Sequence, residues 1–480
     1  MMSQMGAKPM GAKPIAVRNP RTGAMDYEII PLSPEQLAAL CDRLRQGQRD
    51  WHTKGVVHRI EALQAWKQAL LARKEALIEA VVADTGRLSE SGLEVDSFLS
   101  GLDRWCRLAP DLVTPTPTTT AAIPFIELRP QLVPYALVGV ISPWNFPLLL
   151  STIDMIPALL AGCAVVVKPS EIAPRFIPVM DEAIAAVPAL QSVLSFIAGA
   201  GETGAALIDG VDLVCFTGSV TTGKTVAMAA AKRMIPAFLE LGGKDPAIVL
   251  ASTDIEQAAT ALLWGSVVNA GQSCLSIERI YVAQSIGDRF VDTLVKQAKE
   301  LKLAYPDPSS GQIGPIIAAK QASLIAAHLQ DAQQKGAVIQ CGGRVEELGG
   351  GLWLQPTVLT QVNHTMPIMT EETFGPIMPV MAFDTVEEAI QLANDAVYGL
   401  SAAVFAGSVD EAQAVGQQLQ AGAISLNDAG LTALIHEGEK NAFKLSGLGG
   451  SRMGPASIQR FMRKQVFLAK TSPVNDPWWF

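Results

Sequence analysis

The sequence has no CxxC pair: its six cysteines, Cys41, Cys106, Cys163, Cys215, Cys274 and Cys341, stand singly along the chain. That disfavours a zinc site and a disulfide framework, so no metal is expected, and a reducing, cytoplasmic setting is. Charge is sparse, at 17% of residues, and the net charge of -9 offers no concentrated positive field. Phosphate backbones need one, so no nucleic-acid partner is expected. There is no run of about 18 or more apolar residues and no apolar h-region at the N-terminus, which argues against a membrane span and against secretion. What is abundant is apolar material, 49% of 480 residues, enough for a folded chain of two or three domains.

A tandem repeat, MGAKP at Met5 to Pro9 and again at Met10 to Pro14, reads as a disordered leader within residues 1–18. From Pro34 to Cys106 apolar residues recur at three- and four-residue steps through Ile60, Leu63, Trp66, Leu70, Leu77 and Val81, the pattern of helices. A Pro/Thr-rich break follows, and Phe125 to Ile141 reads as extended. Short buried strands then alternate with helices: Ala164 to Val167, Val193 to Ile197, Leu213 to Phe216 and Ala247 to Leu250, with a helix over Arg175 to Ala186. Such alternation predicts an α/β fold with a parallel, dinucleotide-type sheet. A second α/β region begins near Pro246. The chain ends in Pro477, Trp478, Trp479 and Phe480, aromatics expected to pack on a subunit partner.

Gly218 to Thr225 reads GSVTTGKT, which matches the phosphate-loop pattern G-x-x-x-x-G-K-[ST] between a strand and a helix. A glycine turn at a helix N-terminus presents N–H groups to an anion, so phosphate binding is expected. Which phosphate is open. A nucleotide triphosphatase acting through Lys224 also needs a magnesium-holding acid, for which Asp254 is a weak candidate.

Cys274 in NAGQSC lies among small residues suited to presenting a thiol. A lone cysteine is more often a buried small hydrophobe, so its company decides. Glu240 precedes two glycines in ELGGKDP, and Asn145 stands in PWNFP. Together PWNFP (Pro143 to Pro147), KPSE (Lys168 to Glu171), FTGSVTTG (Phe216 to Gly223), ELGGKDP (Glu240 to Pro246), NAGQSC (Asn269 to Cys274) and ETFGP (Glu372 to Pro376) resemble the ordered motif set of the aldehyde dehydrogenase superfamily, from about Asn19 to the C-terminus.

The resemblance implies oxidation of an aldehyde to its acid with NAD, or alternatively NADP, without coenzyme A. The Cys274 thiolate attacks the aldehyde carbon, and the Asn145 amide with the Cys274 N–H steadies the oxyanion. Glu240 then activates the water that hydrolyses the thioester. Lys168 and Glu171 are implied at the adenosine ribose, Ser219 at the pyrophosphate beside Gly218 and Gly223, and Glu372 with Phe374 at the nicotinamide ribose and ring. Trp144 and Leu241 belong to the same cofactor pocket. A carboxylate near the ribose 2′ position repels a 2′-phosphate, favouring NAD.

Two departures stand out. Where many members carry a lysine nine residues after the PWNFP asparagine and a glutamate near the C-terminus, this chain has Asp154 and Arg452, a reversed ion pair beside the site. The stretch at the substrate entrance is altered to HEGEK (His436 to Lys440) and NAFKLSG (Asn441 to Gly447). Trp144, Leu148, Ile153 and Leu275 are expected along the channel, which favours a hydrophobic, aromatic or medium-to-long-chain aldehyde over a semialdehyde. No arginine stands out for a substrate carboxylate. A non-catalytic family member is the remaining rival, against which Cys274, Glu240 and Asn145 all argue.

The expected architecture is a Rossmann-like cofactor domain (19–120 and 140–245), an α/β catalytic domain (246–440) and a small β oligomerisation element (125–139 and 456–480). A homodimer or homotetramer would protect its strand edges.

Overall fold

A computed structural model describes residues 13–472. The MGAKP repeat lies almost wholly, and Pro477 to Phe480 wholly, outside the described residues. The chain opens with a hairpin, β1 (Ile15–Arg18) and β2 (Met25–Ile29), so residues 15–18 are strand rather than leader. Four helices follow: α1 (Pro34–Thr53), α2 (Gly55–Leu71), α3 (Lys74–Thr85) and α4 (Ser89–Leu112). Ser33 starts α1 by accepting from Gln36 N–H while the Gln36 side chain accepts from Ser33 N–H, closing two orphan donors at once.

Next come β3 (Thr119–Thr120), β4 (Ile126–Pro134), β5 (Leu137–Ile141), β6 (Ala164–Lys168), β7 (Leu194–Phe196), β8 (Leu213–Thr217) and β9 (Ala237–Glu240). Every residue of β5, β6 and β8 is buried, as strands covered on both faces require. They form a sheet in the order β21-β9-β8-β5-β6-β7, parallel except where β21 (Gly447–Leu448) returns antiparallel to β9. The strand order reverses between β5 and β8, the switch point at which doubly wound sheets open a ligand crevice. The helical prelude covers this sheet, sharing one core with it.

The backbone then passes through Leu241–Lys244 into a second sheet. Its strands are β10 (Asp245–Val249), β11 (Ile277–Ala283), β12 (Val338–Cys341), β15 (Thr357–Thr360), β16 (Ile377–Phe383), β18 (Ser401–Phe405) and β19 (Ala423–Leu426), in the order β12-β15-β16-β11-β10-β18-β19. Between them lie the hairpin β13 (Val345–Leu348) with β14 (Gly351–Leu354), and the short pair β17 (Tyr398–Gly399) with β20 (Phe443–Lys444). This sheet has its own core.

The third sheet is β22-β4-β3, where β22 (Met462–Lys470) runs antiparallel to β4 along its whole length. The segment 137–139, expected with this element, instead belongs to β5 at the centre of the first sheet. The turn at Tyr135–Ala136 separates the two, and a continuous apolar run hides it from a reading by hydropathy. Among the described residues no helix is long and apolar enough to cross a membrane.

Candidate active site

Cys274 sits on the loop that follows the helix Ile255–Val267. That loop turns through Asn269 and Ala270 at φ of 55° and 52°, left-handed conformations costing about 1–3 kcal/mol each. A buried amide lattice offsets the strain. The Asn269 side chain donates to the Asn145 carbonyl at 2.8 Å and the Gln272 carbonyl at 2.9 Å. The Gln272 side chain donates to the Asn269 carbonyl at 3.0 Å and accepts from Ile317 N–H at 2.8 Å. Asn145 closes the lattice by donating its amide to the Gln272 carbonyl at 3.0 Å. The oxyanion candidate is thereby fixed against the nucleophile's own loop.

Two cavities meet at the thiol. One, of about 140 Å³, is lined by Trp144, Asn145, Gly218, Ser219, Leu241, Glu372 and Phe374. The other, of about 220 Å³, is mostly apolar, with Phe146, Leu149, Ile153, Trp264, Leu275 and Met453 on its wall. Cys274, Glu240 and Leu150 line both. Glu240 reaches this junction because it is the last residue of β9, at the carboxyl edge of the first sheet.

The smaller cavity lies at the switch point of the first sheet. PWNFP follows β5, and Thr217 to Ser219 lead from β8 into the helix Val220–Arg233. Ser219 caps that helix, accepting from Thr222 N–H at 3.3 Å. Gly223 leaves room for Leu241, because a Cβ there would lie 2.4 Å from a Leu241 methyl and would push that side chain aside. Phe374 and Trp144 stack edge to face with centroids 5.6 Å apart. Lys168 ends β6, one strand over, and donates to the Gly199 carbonyl at 2.6 Å with Glu171 at 3.7 Å. A helix N-terminus, a carboxylate in Glu372 and two aromatic walls fit a dinucleotide laid across the strand ends.

The thiol is held among carboxylates. Burial, then Glu372, Asp245 and Glu240, push Cys274 up to about 12, against which Arg452 acts weakly. Glu372 itself is pushed up to about 8 by burial and by Glu278, although its carboxylate accepts from Gly243 N–H at 3.0 Å. Behind the site, Arg452 donates to Asp154 at 2.8 Å and to Thr217, and Arg460 pairs with the other Asp154 oxygen. Burial would raise Asp154, but the two arginines outweigh it and hold the carboxyl below its ordinary value. The reversed ion pair therefore exists, with a second arginine added.

Cys274, Glu240 and Asn145 thus converge with Trp144, Gly218, Ser219, Leu241, Glu372 and Phe374, whereas Lys168, Glu171 and Gly223 stand back from the cavity wall. Leu148, expected in the channel, is fully buried core, and Trp144 lines the cofactor-side cavity instead. On the short helix α5 (Pro147–Thr152) each step turns the side chain by about 100°, so Leu149 and Leu150 take the place of Leu148. The phosphate-loop reading also falls: Lys224 is exposed, and Asp254 caps the helix Ile255–Val267 in the other half of the chain.

Several supporting residues carried no recognisable motif. Arg87 donates to the Asn145 carbonyl and to Glu94, both at 2.6 Å, while Glu94 accepts from the Leu148 and Leu149 N–H groups that open α5. Glu278 accepts from Thr373 and Phe374 N–H at 2.8 Å each and binds Lys244 at 2.6 Å, pinning the ETFGP segment. Glu278 stands out faintly as a charge within the apolar strand IERIYVA, whereas Arg87 and Glu94 sit among other polar residues and carry no local signal.

An α/β fold with a thiol and a carboxylate where a cleft at the sheet's switch point meets an apolar pocket is an arrangement suited to an oxidoreductase. The comparisons are more specific. The sequence profile of the aldehyde dehydrogenase family matches residues 7–467, and the chain belongs to that family. It is 36% identical to the 4,4'-diapolycopene aldehyde oxidase of Methylomonas sp over 97% of this chain and 88% of the relative. The structure described as aldehyde dehydrogenase PutA of Anabaena variabilis superposes with a TM-score of 0.96 at 64% identity, covering 98% of this chain and 100% of that one. Betaine aldehyde dehydrogenase from Staphylococcus aureus, solved in complex with NAD+, gives 0.91 at 31% identity over 97% and 94%. The chain is an enzyme that oxidises aldehydes to acids.

The carboxylate ring around the thiol has a measurable consequence. Glu372→Gln removes the strongest charge raising Cys274, so more thiolate exists at a given pH. Iodoacetamide alkylation of Cys274 at about pH 9, above the Glu372 value, with Cys274→Ser as the blank, should become several-fold faster; an unchanged rate would show that Glu372 does not set the thiol.

Proposed function

We propose that the enzyme oxidises an apolar aldehyde with NAD, with Cys274 as nucleophile, Asn145 as oxyanion donor and Glu240 as the base for deacylation. The observation that carries this reading is the position of Cys274 and Glu240 on both cavities at once, so that a carbonyl held on the apolar side can reach the thiol and face the cofactor side. The thiol passes its proton to solvent water, its sulfur bonds to the aldehyde carbon, and the carbonyl electrons move to oxygen beside the Asn145 amide and the Cys274 N–H. NAD held in the smaller cavity would supply the hydride acceptor, and the oxidised carbon would remain as a thioester on Cys274. Glu240 then takes a proton from water, whose oxygen displaces the sulfur and releases the acid.

Trp144, Gly218, Ser219, Leu241, Glu372 and Phe374 are the residues that would hold the cofactor, with Lys168 and Glu171 at its adenosine end. The Glu171 carboxylate favours NAD over the 2′-phosphorylated form, NADP being the alternative. The exposed leucines Leu93 and Leu434 at the mouth of the apolar cavity support a hydrophobic substrate. A cytoplasmic setting is inferred from the spacing of the cysteines.

Glu240→Gln should keep a single-turnover burst of NADH from an alkanal while steady turnover falls about 10²-fold or more; loss of the burst together with turnover would remove the deacylation role. The β22 strand leaves Val466, Phe467 and Leu468 at least half exposed, which supports a homo-oligomer built on this edge. Leu468→Glu should shift the mass found by light scattering towards the monomer, and an unchanged mass would place the interface elsewhere.

A further inference from the structure

Beyond the apolar cavity lies a larger one, of about 480 Å³, that shares Ser97, Leu149, Ile153, Leu434 and His436 with it. Helix α4 forms one wall of both. Its Leu93 and Glu94 face the inner cavity and its Arg104 and Arg107 the outer one. At about 1.5 Å per residue the two arginines begin about 16 Å along the helix axis from Leu93, the length of an extended chain of about a dozen carbons. The opposite wall is the segment Leu434 to Glu437, which carries part of the polar stretch that departs from the family pattern.

Two arginines, Arg104 and Arg107, and two carboxylates, Asp103 and Glu437, line this outer chamber. Asp103 is engaged by Lys67 at 2.5 Å, and Glu437 accepts from the N–H of His436 at 3.1 Å. Arg104 donates to the His436 carbonyl at 3.2 Å and lies over the Trp105 ring at 5.2 Å, yet neither it nor Arg107 has an ion pair among the described residues. Burial lowers Arg104, Glu437 opposes that and Arg107 adds to it, so an incoming anion would share the chamber with the Glu437 carboxylate. A half-buried guanidinium held by one carbonyl and an aromatic face keeps donors free for a planar anion. The inner cavity between it and Cys274 is mostly apolar along Phe146, Leu149, Ile153, Trp264 and Leu275, which suits an alkyl chain, although Glu90, Glu94, Glu240, Lys440 and Arg452 also reach its wall.

We propose that this outer chamber is a subsite for a carboxylate at the far end of the substrate, and that the enzyme takes long-chain ω-oxo carboxylic acids, with Arg104 as the anchor and Arg107 adding to the field. The inference rests on the reading of Cys274 as the aldehyde-binding end. It joins the apolar channel and the semialdehyde alternative in one ligand: an acid group outside, a hydrocarbon chain within, an aldehyde at the thiol. The product is a dicarboxylic acid, so the reaction that supplies the substrate must be one that oxidises the far end of a fatty-acid-like chain or cleaves a longer unsaturated one.

The test compares kcat/KM, by NADH formation, for an ω-oxo acid of about twelve carbons, its methyl ester and the alkanal of equal length. Wild-type enzyme should favour the acid over the ester by about tenfold or more, chiefly through KM, and the preference should shrink as salt is raised. Arg104→Met, which keeps the apolar stem, should lose most of the acid-to-ester ratio, and Arg104→Lys should restore part of it. Equal use of acid and ester by wild type, or a preference that survives in Arg104→Met, overturns the subsite and leaves the aldehyde chemistry standing. No NADH from any of the three overturns both. The wild-type comparison does not depend on the variants folding.

Discussion

The site depends on a close backbone crossing between two sheets. Glu240 ends β9, Asp245 begins β10, and the intervening glycines let two other segments come within contact distance. A Cβ on Gly242 would lie 2.5 Å from the Glu372 carboxylate, and one on Gly243 would lie 2.5 Å from the Cys274 carbonyl oxygen. Backbone closes the second place to any side chain, and a side chain in the first would have to push the Glu372 carboxylate aside. Glu240, the loop that carries Cys274 and the Glu372 carboxylate are therefore gathered by the same four-residue passage, which explains why both cavities end on the same thiol.

Gathering these groups concentrates negative charge, and much of the surrounding structure answers that. Lys244 is buried against Glu278, and Asp154 is buried between Arg452 and Arg460. Buried ions tolerate such places only when paired and hydrogen-bonded, and removal of one partner strands the other at a cost of about 3–5 kcal/mol. Asp154 and Arg452 form a buried pair of opposite charges, and Arg460 leaves the three-residue cluster with one positive charge in excess. The thiol keeps its proton in this environment, and an attacking thiolate needs a base or a positive charge to arrive beside it.

Cys274, Glu240, Asn145 and the cofactor residues stood out in the sequence because each lies in a short motif whose glycines, prolines or small residues mark unusual backbone. The two parallel sheets were legible from apolar runs separated by helices. Elsewhere the local signal ran out. Leu148 and Leu149 are equivalent in hydropathy, and only the phase of α5 decides which one lines the channel. Nothing near Arg87 or Glu278 in sequence announces their partners, which lie 58 and 95 residues away. GSVTTGKT showed the opposite failure: a motif with genuine strand-turn-helix geometry whose second glycine serves Leu241 rather than a triphosphate. Arg104 could be found only after α4 was seen to run along two cavities.

The central claim is that the oxidised carbon spends part of the cycle bonded to Cys274. The direct measurement is peptide mass spectrometry of Glu240→Gln protein quenched in acid during a single turnover with a long-chain aldehyde and NAD. The account predicts an acyl mass on the peptide containing Cys274, in proportion to the NADH formed. NADH formation with no acyl mass on that peptide, or with the mass on another cysteine, would contradict it.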